Sequence, residues 1–210
     1  MKKQITIVDY GSGNVLSAKQ SFLKVCRKKN IIAEINISNK PEDIKKSSHV
    51  VLPGQGAFST CMNNLKNTPL MIQELIDFAL NKKKPFLGIC VGMQMLATTS
   101  EENGIHRGLG WINGIIKKIP SQNLKMPHMG WNEVVPKKKL ANKLFVKKND
   151  YYFVHSYYFD CFDKHNVLAE TQYGINFASI VQKENIYGVQ FHPEKSSEQG
   201  LSFIESFIEL

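Results

Sequence analysis

The chain has 210 residues, 42% of them hydrophobic and 21% charged, enough apolar material for one buried core and too much for a disordered chain. Its formal charge of +9 is carried by lysine clusters (Lys82-Lys83-Lys84, Lys137-Lys138-Lys139, Lys147-Lys148), with Arg27 and Arg107 the only arginines, which suits solvated edges and argues against a guanidinium-rich nucleic-acid surface. The four cysteines lie far apart without metal-ligand spacing, and neither a signal peptide nor a membrane-spanning run is visible, so no metal, disulfide scaffold or membrane is expected and a cytoplasmic location is.

Residues 4–9 read as a first strand, followed by the loop Tyr10-Gly11-Ser12-Gly13-Asn14 and a helix to about Lys28 with Val15, Ala18, Phe22 and Val25 on its apolar face. Strands are expected at 31–37 and 49–52, the second running into Pro53-Gly54-Gln55-Gly56-Ala57-Phe58, and helices at about 57–65 and 70–80. A buried strand at 86–89 leads into a helix at 91–98. This run of βα units predicts a parallel sheet. After Asn103-Gly104 the pattern becomes short β-type runs at 114–119, 130–135, 151–157, 166–171, 177–182 and 186–191, closed by a helix at 197–208. The expected fold is therefore α/β with a mixed sheet, in one domain over 1–210. The G-x-G-x-x-G spacing of a dinucleotide fold is not completed, because Leu16 occupies the last glycine position, and no Walker-type phosphate loop is present.

Cys90 ends an apolar run with a glycine two residues away on each side, Gly88 and Gly92. A thiol on such a strand-to-helix turn has a nucleophile's surroundings: glycines that permit a strained turn and leave room for a substrate, and free N–H groups at the helix start. A buried structural cysteine beside packing glycines fits the same segment. A thiol nucleophile needs a base, and the base an orienting group. The last strand ends in His192-Pro193-Glu194, where the proline breaks the strand and both side chains can lie on one side of its end. In an α/β sheet the carboxyl ends of strands are where sites gather, so a Cys90–His192–Glu194 triad is plausible. His155 is the rival base, but it has no carboxylate two residues on and lies inside a strand, which suits a structural or substrate-loop role.

Gly88-Ile89-Cys90-Val91-Gly92-Met93-Gln94 together with His192-Pro193-Glu194 resembles the triad (class I) glutamine amidotransferases. Asp9 to Asn14, Leu52 to Phe58, Pro127-His128-Met129-Gly130-Trp131-Asn132, Tyr152 to Tyr157 and His192 to Ser197 narrow the resemblance to the glutaminase subunits of imidazole glycerol phosphate synthase, from histidine biosynthesis. The resemblance runs almost end to end. It implies a single-domain three-layer sandwich around a central mixed, largely parallel sheet, with a flavodoxin-like core. It further implies that Cys90 attacks the carboxamide of L-glutamine and that the oxyanion is met by the N–H of Val91 and by that of Gln55, on the peptide after Gly54. His192, held by Glu194, would shuttle the proton, and Gln94, Glu102, Ser156 and Tyr157 would bind glutamine.

By the same resemblance ammonia passes to a separate (β/α)8-barrel cyclase subunit in a heterodimer, with Asn14, His128, Trp131, Asn132, Tyr152 and Lys195 at or near the interface and ammonia gate. No cofactor is implied. Gln55 stands where the family more often has valine, a difference that bears on how the loop switches; glutaminase activity is expected to be low alone and to rise when the partner binds its ligand. Two alternatives are a paralogous glutaminase serving another amidotransfer, such as amidino-sugar synthesis, and a catalytically silent binding module of the same fold.

Overall fold

A computed structural model describes residues 2–120, 124–137 and 148–210. It opens with β1 (Lys3–Val8), α1 (Val15–Lys29), β2 (Ala33–Ser38), α2 (Pro41–Lys46) and β3 (His49–Gly54), and continues with α3 (Phe58–Asn67), α4 (Met71–Ile76), a π-helical turn (Asp77–Asn81), β4 (Phe86–Cys90) and α5 (Val91–Gln94). The short strands β5 (Thr99–Ser100) and β6 (His106–Arg107) lead to β7 (Gly114–Lys118), β8 (His128–Pro136), β9 (Asn149–His155), β10 (Tyr157–Cys161), β11 (Val167–Tyr173), β12 (Ile175–Lys183), β13 (Ile186–Val189) and α6 (Ser197–Ile208).

Local chemistry accounts for the helix ends. The Asn14 side chain accepts from the Ser17 N–H to start α1, which ends in Arg27-Lys28-Lys29 and the left-handed Asn30, a stop that satisfies the helix dipole and its last carbonyls. α2, absent from the sequence expectation, has Pro41 at its start, Glu42 and Asp43 in its first turn and Lys45 and Lys46 in its last. Its six residues bury only Ile44, too little for a periodic signal.

Among the described residues the main sheet has nine strands in the order β2-β1-β3-β4-β13-β12-β11-β8-β9. From β2 to β13 the neighbours are parallel, and from β13 to β9 they are antiparallel, which is the expected mixed sheet with a parallel core. The parallel strands are buried on both faces, so β3 and β4 are apolar without alternation. Helices α1 and α6 pack together, with Phe22 and Phe207 edge to face, while α2, α3, α4 and α5 form a separate group.

Two expected elements differ. The strand expected over 151–157 is two strands: β9 pairs with β8 as far as His155, and from Tyr157 β10 pairs with β7 in a second sheet, β10-β7-β5-β6. Alternation of apolar residues cannot reveal a change of sheet. The helix expected over 91–98 stops at Gln94, because the carbonyls of Met95, Leu96 and Ala97 are taken by the N–H groups of Leu109, Ile112 and Gly110. Most of the described cluster lysines sit at element ends in ion pairs, Lys82 with Asp77, Lys83 with Glu184, Lys137 with Glu170 and Lys148 with Glu133, while Lys84 turns inward to the Ser47 carbonyl over the Phe78 ring. Lys138, Lys139 and Lys147 lie outside the described residues.

Register decides where the site forms. Gly54 is level with Cys90 across β3 and β4, and Ile89 is level with Val189 across β4 and β13. The carboxyl ends of three adjacent parallel strands thus present the 54–56 loop, the thiol and the 190–194 turn side by side.

Candidate active site

Cys90 joins β4 to α5 with φ 56° and ψ −113°, a combination that costs a residue with a side chain about 1–3 kcal/mol. The strain sits on the cysteine itself. Gly88 and Gly92 have no positive φ; what they supply is proximity. A Cβ on Gly92 would lie 1.9 Å from the Leu52 carbonyl oxygen, and one on Gly88 would lie 2.5 Å from that of Gly92. Gly54 is likewise pressed against Val91 and Gly92. The glycines that read as turn-formers are therefore a contact surface that lets α5 sit directly on β3 and β4, which forces the cysteine into its elbow.

The thiol is almost fully buried. It donates to the Val154 carbonyl at 3.9 Å, and the Gln190 side-chain amide donates to the sulfur at 3.8 Å. On its other side stands His192, whose Nδ1 donates to Glu194 Oε1 at 2.8 Å, both side chains being about 5% exposed. His192 Nε2 is buried without a hydrogen bond and lines the same cavity as Cys90, close enough to interact electrostatically with the sulfur. Burial opposes a charge on this imidazole, but a negative charge on the Cys90 sulfur, as thiolate, together with the Glu194 carboxylate outweighs it and raises its pKa to about 10. Opposite a Cys90 thiolate, His192 therefore carries the proton at neutral pH. The His192 turn is fixed by β9: the His192 N–H donates to the Tyr152 carbonyl at 2.9 Å, and buried Ser196 accepts from the Tyr152 N–H at 3.0 Å while donating to the His192 carbonyl at 2.6 Å.

A cavity of about 260 Å³ opens over the thiol, lined by Gln55, Gly56, Val91, Gln94, Glu102, Ser156 and Tyr157 among others. That is small beside pockets for drug-sized ligands and suits an amino acid. Of the residues expected here, two do not line it: Gly54, buried at the end of β3, and Glu194, which stands behind His192. Gln55 is exposed at the rim, and its carbonyl accepts from Cys61 Sγ at 3.5 Å. Glu102 also accepts from the Phe58 N–H at 2.7 Å, capping α3, whose own N-cap residue Ala57 cannot.

His155 does not serve as the base. Its Nδ1 donates to the Tyr157 carbonyl at 2.8 Å, so its Nε2 accepts from His128 Nδ1 at 2.9 Å, and His128 Nε2 in turn accepts from Asn132 Nδ2 at 3.0 Å. Every ring nitrogen is satisfied with both imidazoles neutral. Burial lowers His128 to about 4 and His155 to about 3. His128 is buried, stacked on Tyr173 and Phe153. Trp131 is 53% exposed and stands edge-on to Tyr152, whose ring also meets the Lys195 ammonium at 5.8 Å. Asn14 closes the loop whose Gly13 abuts Pro53.

Sequence reasoning missed Gln190, Ser196 and Tyr10, whose buried hydroxyl donates to the Pro53 carbonyl at 2.7 Å beneath the 54–56 loop. For Gln190 a signal existed: a lone amide in an apolar strand must find partners.

A sequence model of the family "Glutamine amidotransferase class-I" matches residues 6–210. The imidazole glycerol phosphate synthase subunit HisH of Pelagibacter ubique is 44% identical over 209 residues, covering 98% of this chain and 99% of the relative. Subunit HisH 2 of Methanococcus maripaludis is 46% identical over 212 residues, covering 97% and 98%. A crystal structure of a glutamine amidotransferase superposes with a TM-score of 0.73 at 15% identity, covering 98% of this chain and 99% of that one, and another from Thermotoga maritima gives 0.66 at 19%, covering 100% and 84%. At those identities the solved structures speak for the fold. Matched along almost its whole length by the family and by these relatives, the chain belongs to the class-I glutamine amidotransferases and, within them, to the HisH subunits of imidazole glycerol phosphate synthase.

Proposed function

We propose that this chain hydrolyses L-glutamine to glutamate and ammonia as the glutaminase subunit of imidazole glycerol phosphate synthase, in histidine biosynthesis, with Cys90, His192 and Glu194 as its triad. The observation that carries this is the convergence on one small cavity of a strained, buried thiol and a carboxylate-held, protonated imidazole. The Cys90 thiolate attacks the carboxamide carbon of glutamine, and the carbonyl oxygen takes up the charge against the N–H groups of Val91 and Gln55. As the C–N bond breaks, His192 gives its proton to the nitrogen, which leaves as ammonia. His192 then takes a proton from water, hydroxide attacks the thioester carbon, and the C–S bond breaks to restore the thiolate and release glutamate. Gln94, Glu102, Ser156 and Tyr157 line the cavity where glutamine would be held.

Ammonia released to bulk water is protonated and lost as a nucleophile, so it needs a receiver. The relatives are named as subunits, and the receiver proposed is the (β/α)8-barrel cyclase subunit, in a heterodimer. Trp131, Tyr152 and Lys195 form one surface group beside the His192 turn, and Met129, 62% exposed on the same strand as Trp131, extends it. Such an exposed apolar cluster suits a partner. The four free, buried cysteines support a reducing, cytoplasmic setting, and among the described residues no helix is long and apolar enough to cross a membrane.

The test is to mix the chain with a cyclase subunit and compare glutamine with ammonium as nitrogen donor. Cys90→Ser is expected to abolish the glutamine-dependent reaction and leave the ammonium-dependent one intact; glutamine-dependent product from the variant would remove Cys90 from the mechanism. Complementation of a histidine auxotroph lacking this subunit separates the histidine pathway from another amidotransfer.

A further inference from the structure

Just beyond β13, Gln190 has no solvent exposure at all, and every bond of its amide leads to the active site. Its backbone N–H is taken by the Ser179 carbonyl at 2.9 Å. Its side-chain Oε1 accepts from Gln94 Nε2 at 3.0 Å, and its Nε2 faces Cys90 Sγ at 3.8 Å. Gln94 Nε2 also donates to the Tyr157 carbonyl at 3.1 Å. These bonds settle which way both amides point. With both hydrogens of Gln94 committed to oxygens, Gln190 must offer oxygen to Gln94 and its NH₂ to the sulfur.

The sulfur thus has one donor, Gln190, and one acceptor, the Val154 carbonyl at 3.9 Å. A thiol satisfies the carbonyl. A thiolate gives up the Val154 bond and keeps the amide, whose bond strengthens when its acceptor is charged, alongside the positive charge of His192. We propose that the Gln190 side-chain amide is the donor that stabilises the Cys90 thiolate and holds it in place for attack, and that Gln94 orients this donor. The proposal rests on Cys90 being the nucleophile. It also gives Gln94, which lines the cavity, a connection to the sulfur through two hydrogen bonds by way of Gln190.

The titratable groups that bear on Cys90 are His192 beyond β13, with Glu194 behind it, Tyr10 from the loop after β1 and Cys61 of α3; His155 and Glu102 line the same cavity. None of them hydrogen-bonds to the Gln190 amide, so substitution there removes one donor and leaves the charges in place.

The test compares full-length wild type with Gln190→Met and Gln190→Leu, which keep the volume and lose the donor. The rate of Cys90 alkylation by iodoacetamide, followed on the Cys90 peptide by mass spectrometry from roughly pH 5 to pH 10, reads the thiolate directly. Both variants are expected to shift the midpoint upward by about one pH unit, so that alkylation below the midpoint slows about tenfold, and kcat for glutamine falls with KM changed less. An unchanged midpoint in folded variants overturns the proposal. Should both variants fail to fold, wild type decides by side-chain amide NMR: the Gln190 amide protons are expected to shift with the midpoint of Cys90 alkylation and to lose that titration in Cys90→Ser, and a Gln190 amide indifferent to pH overturns the proposal. Glutamine hydrolysis that survives Cys90→Ser would instead overturn the nucleophile assignment, whatever residue 190 does.

Discussion

Replacing Gly92 with alanine tests whether the elbow is built by proximity. The new Cβ would sit 1.9 Å from the Leu52 oxygen and 2.9 Å from its carbonyl carbon, both backbone atoms that no rotamer change can move. Real Cβ contacts stay beyond 3.0 Å, so α5 and β3 must part by about 1.1 Å. Overpacking of this kind costs about 1–3 kcal/mol, which at roughly 2–4 °C per kcal/mol lowers the melting temperature of a chain this size by several degrees. The larger effect falls on catalysis, because β3 leads into the Gln55 loop and α5 begins with Val91, the two proposed oxyanion donors. A misplacement near 1 Å is worth about a hundredfold in rate. Gly92→Ala is therefore expected to melt a few degrees lower yet remain folded at 25 °C, with kcat for glutamine down about a hundredfold and the ammonium-dependent reaction with a cyclase unchanged. Thermal melts and coupled glutamate release read both effects. Wild-type kcat in a folded Gly92→Ala protein would refute the proximity account, since the close approach would then carry no constraint on the donors.

Glu194→Gln keeps the shape of the side chain and removes the charge that helps hold the proton on His192. The imidazole pKa should fall from about 10 toward its ordinary value, so the alkaline limb of the kcat profile moves to lower pH and kcat drops at least about a hundredfold; an unmoved limb in the pH–rate profile would contradict this. Stability should also fall in mild acid. His128 and His49, each lowered to about 4 chiefly by burial, and His155, lowered to about 3, stay neutral in the native state at pH 5, whereas the unfolded chain takes up their protons below about 6.5. The unfolded state then binds more protons, and the native state loses about 2 kcal/mol per histidine between neutrality and pH 5. His192, raised rather than lowered, offsets a little of this, by about 1 kcal/mol, as the unfolded chain protonates between pH 7 and about pH 6; its contribution is full below about 6.5 and fades as pH rises toward 10. Urea unfolding at pH 7 and pH 5 measures the difference, and equal stabilities would show that these imidazoles are not held neutral.

Much of the molecule was legible along the chain because its signals are local. The βα alternation, the apolar runs of β3 and β4 and the cysteine two residues from a glycine on either side are patterns within a few residues, and they placed the thiol at a strand end beside His192 and Glu194. α2 carried its proline and charge signals but had too little apolar periodicity to be noticed. What the sequence by itself determined was which side chains could do chemistry. Only the tertiary structure decided how they are held: β9 leaves the main sheet at Ser156, α5 ends early because distant N–H groups take its carbonyls, and Gly88 and Gly92 act through contact with Leu52 and one another. His155 became a partner of His128 instead of a base, and Gln190, whose lone amide signals a need for partners without naming them, came to face the Cys90 sulfur 100 residues away in the chain. Each of these turns on a hydrogen bond or close approach between segments far apart in sequence. No local pattern encodes such a contact, because it exists only once the sheet has brought its strand ends together.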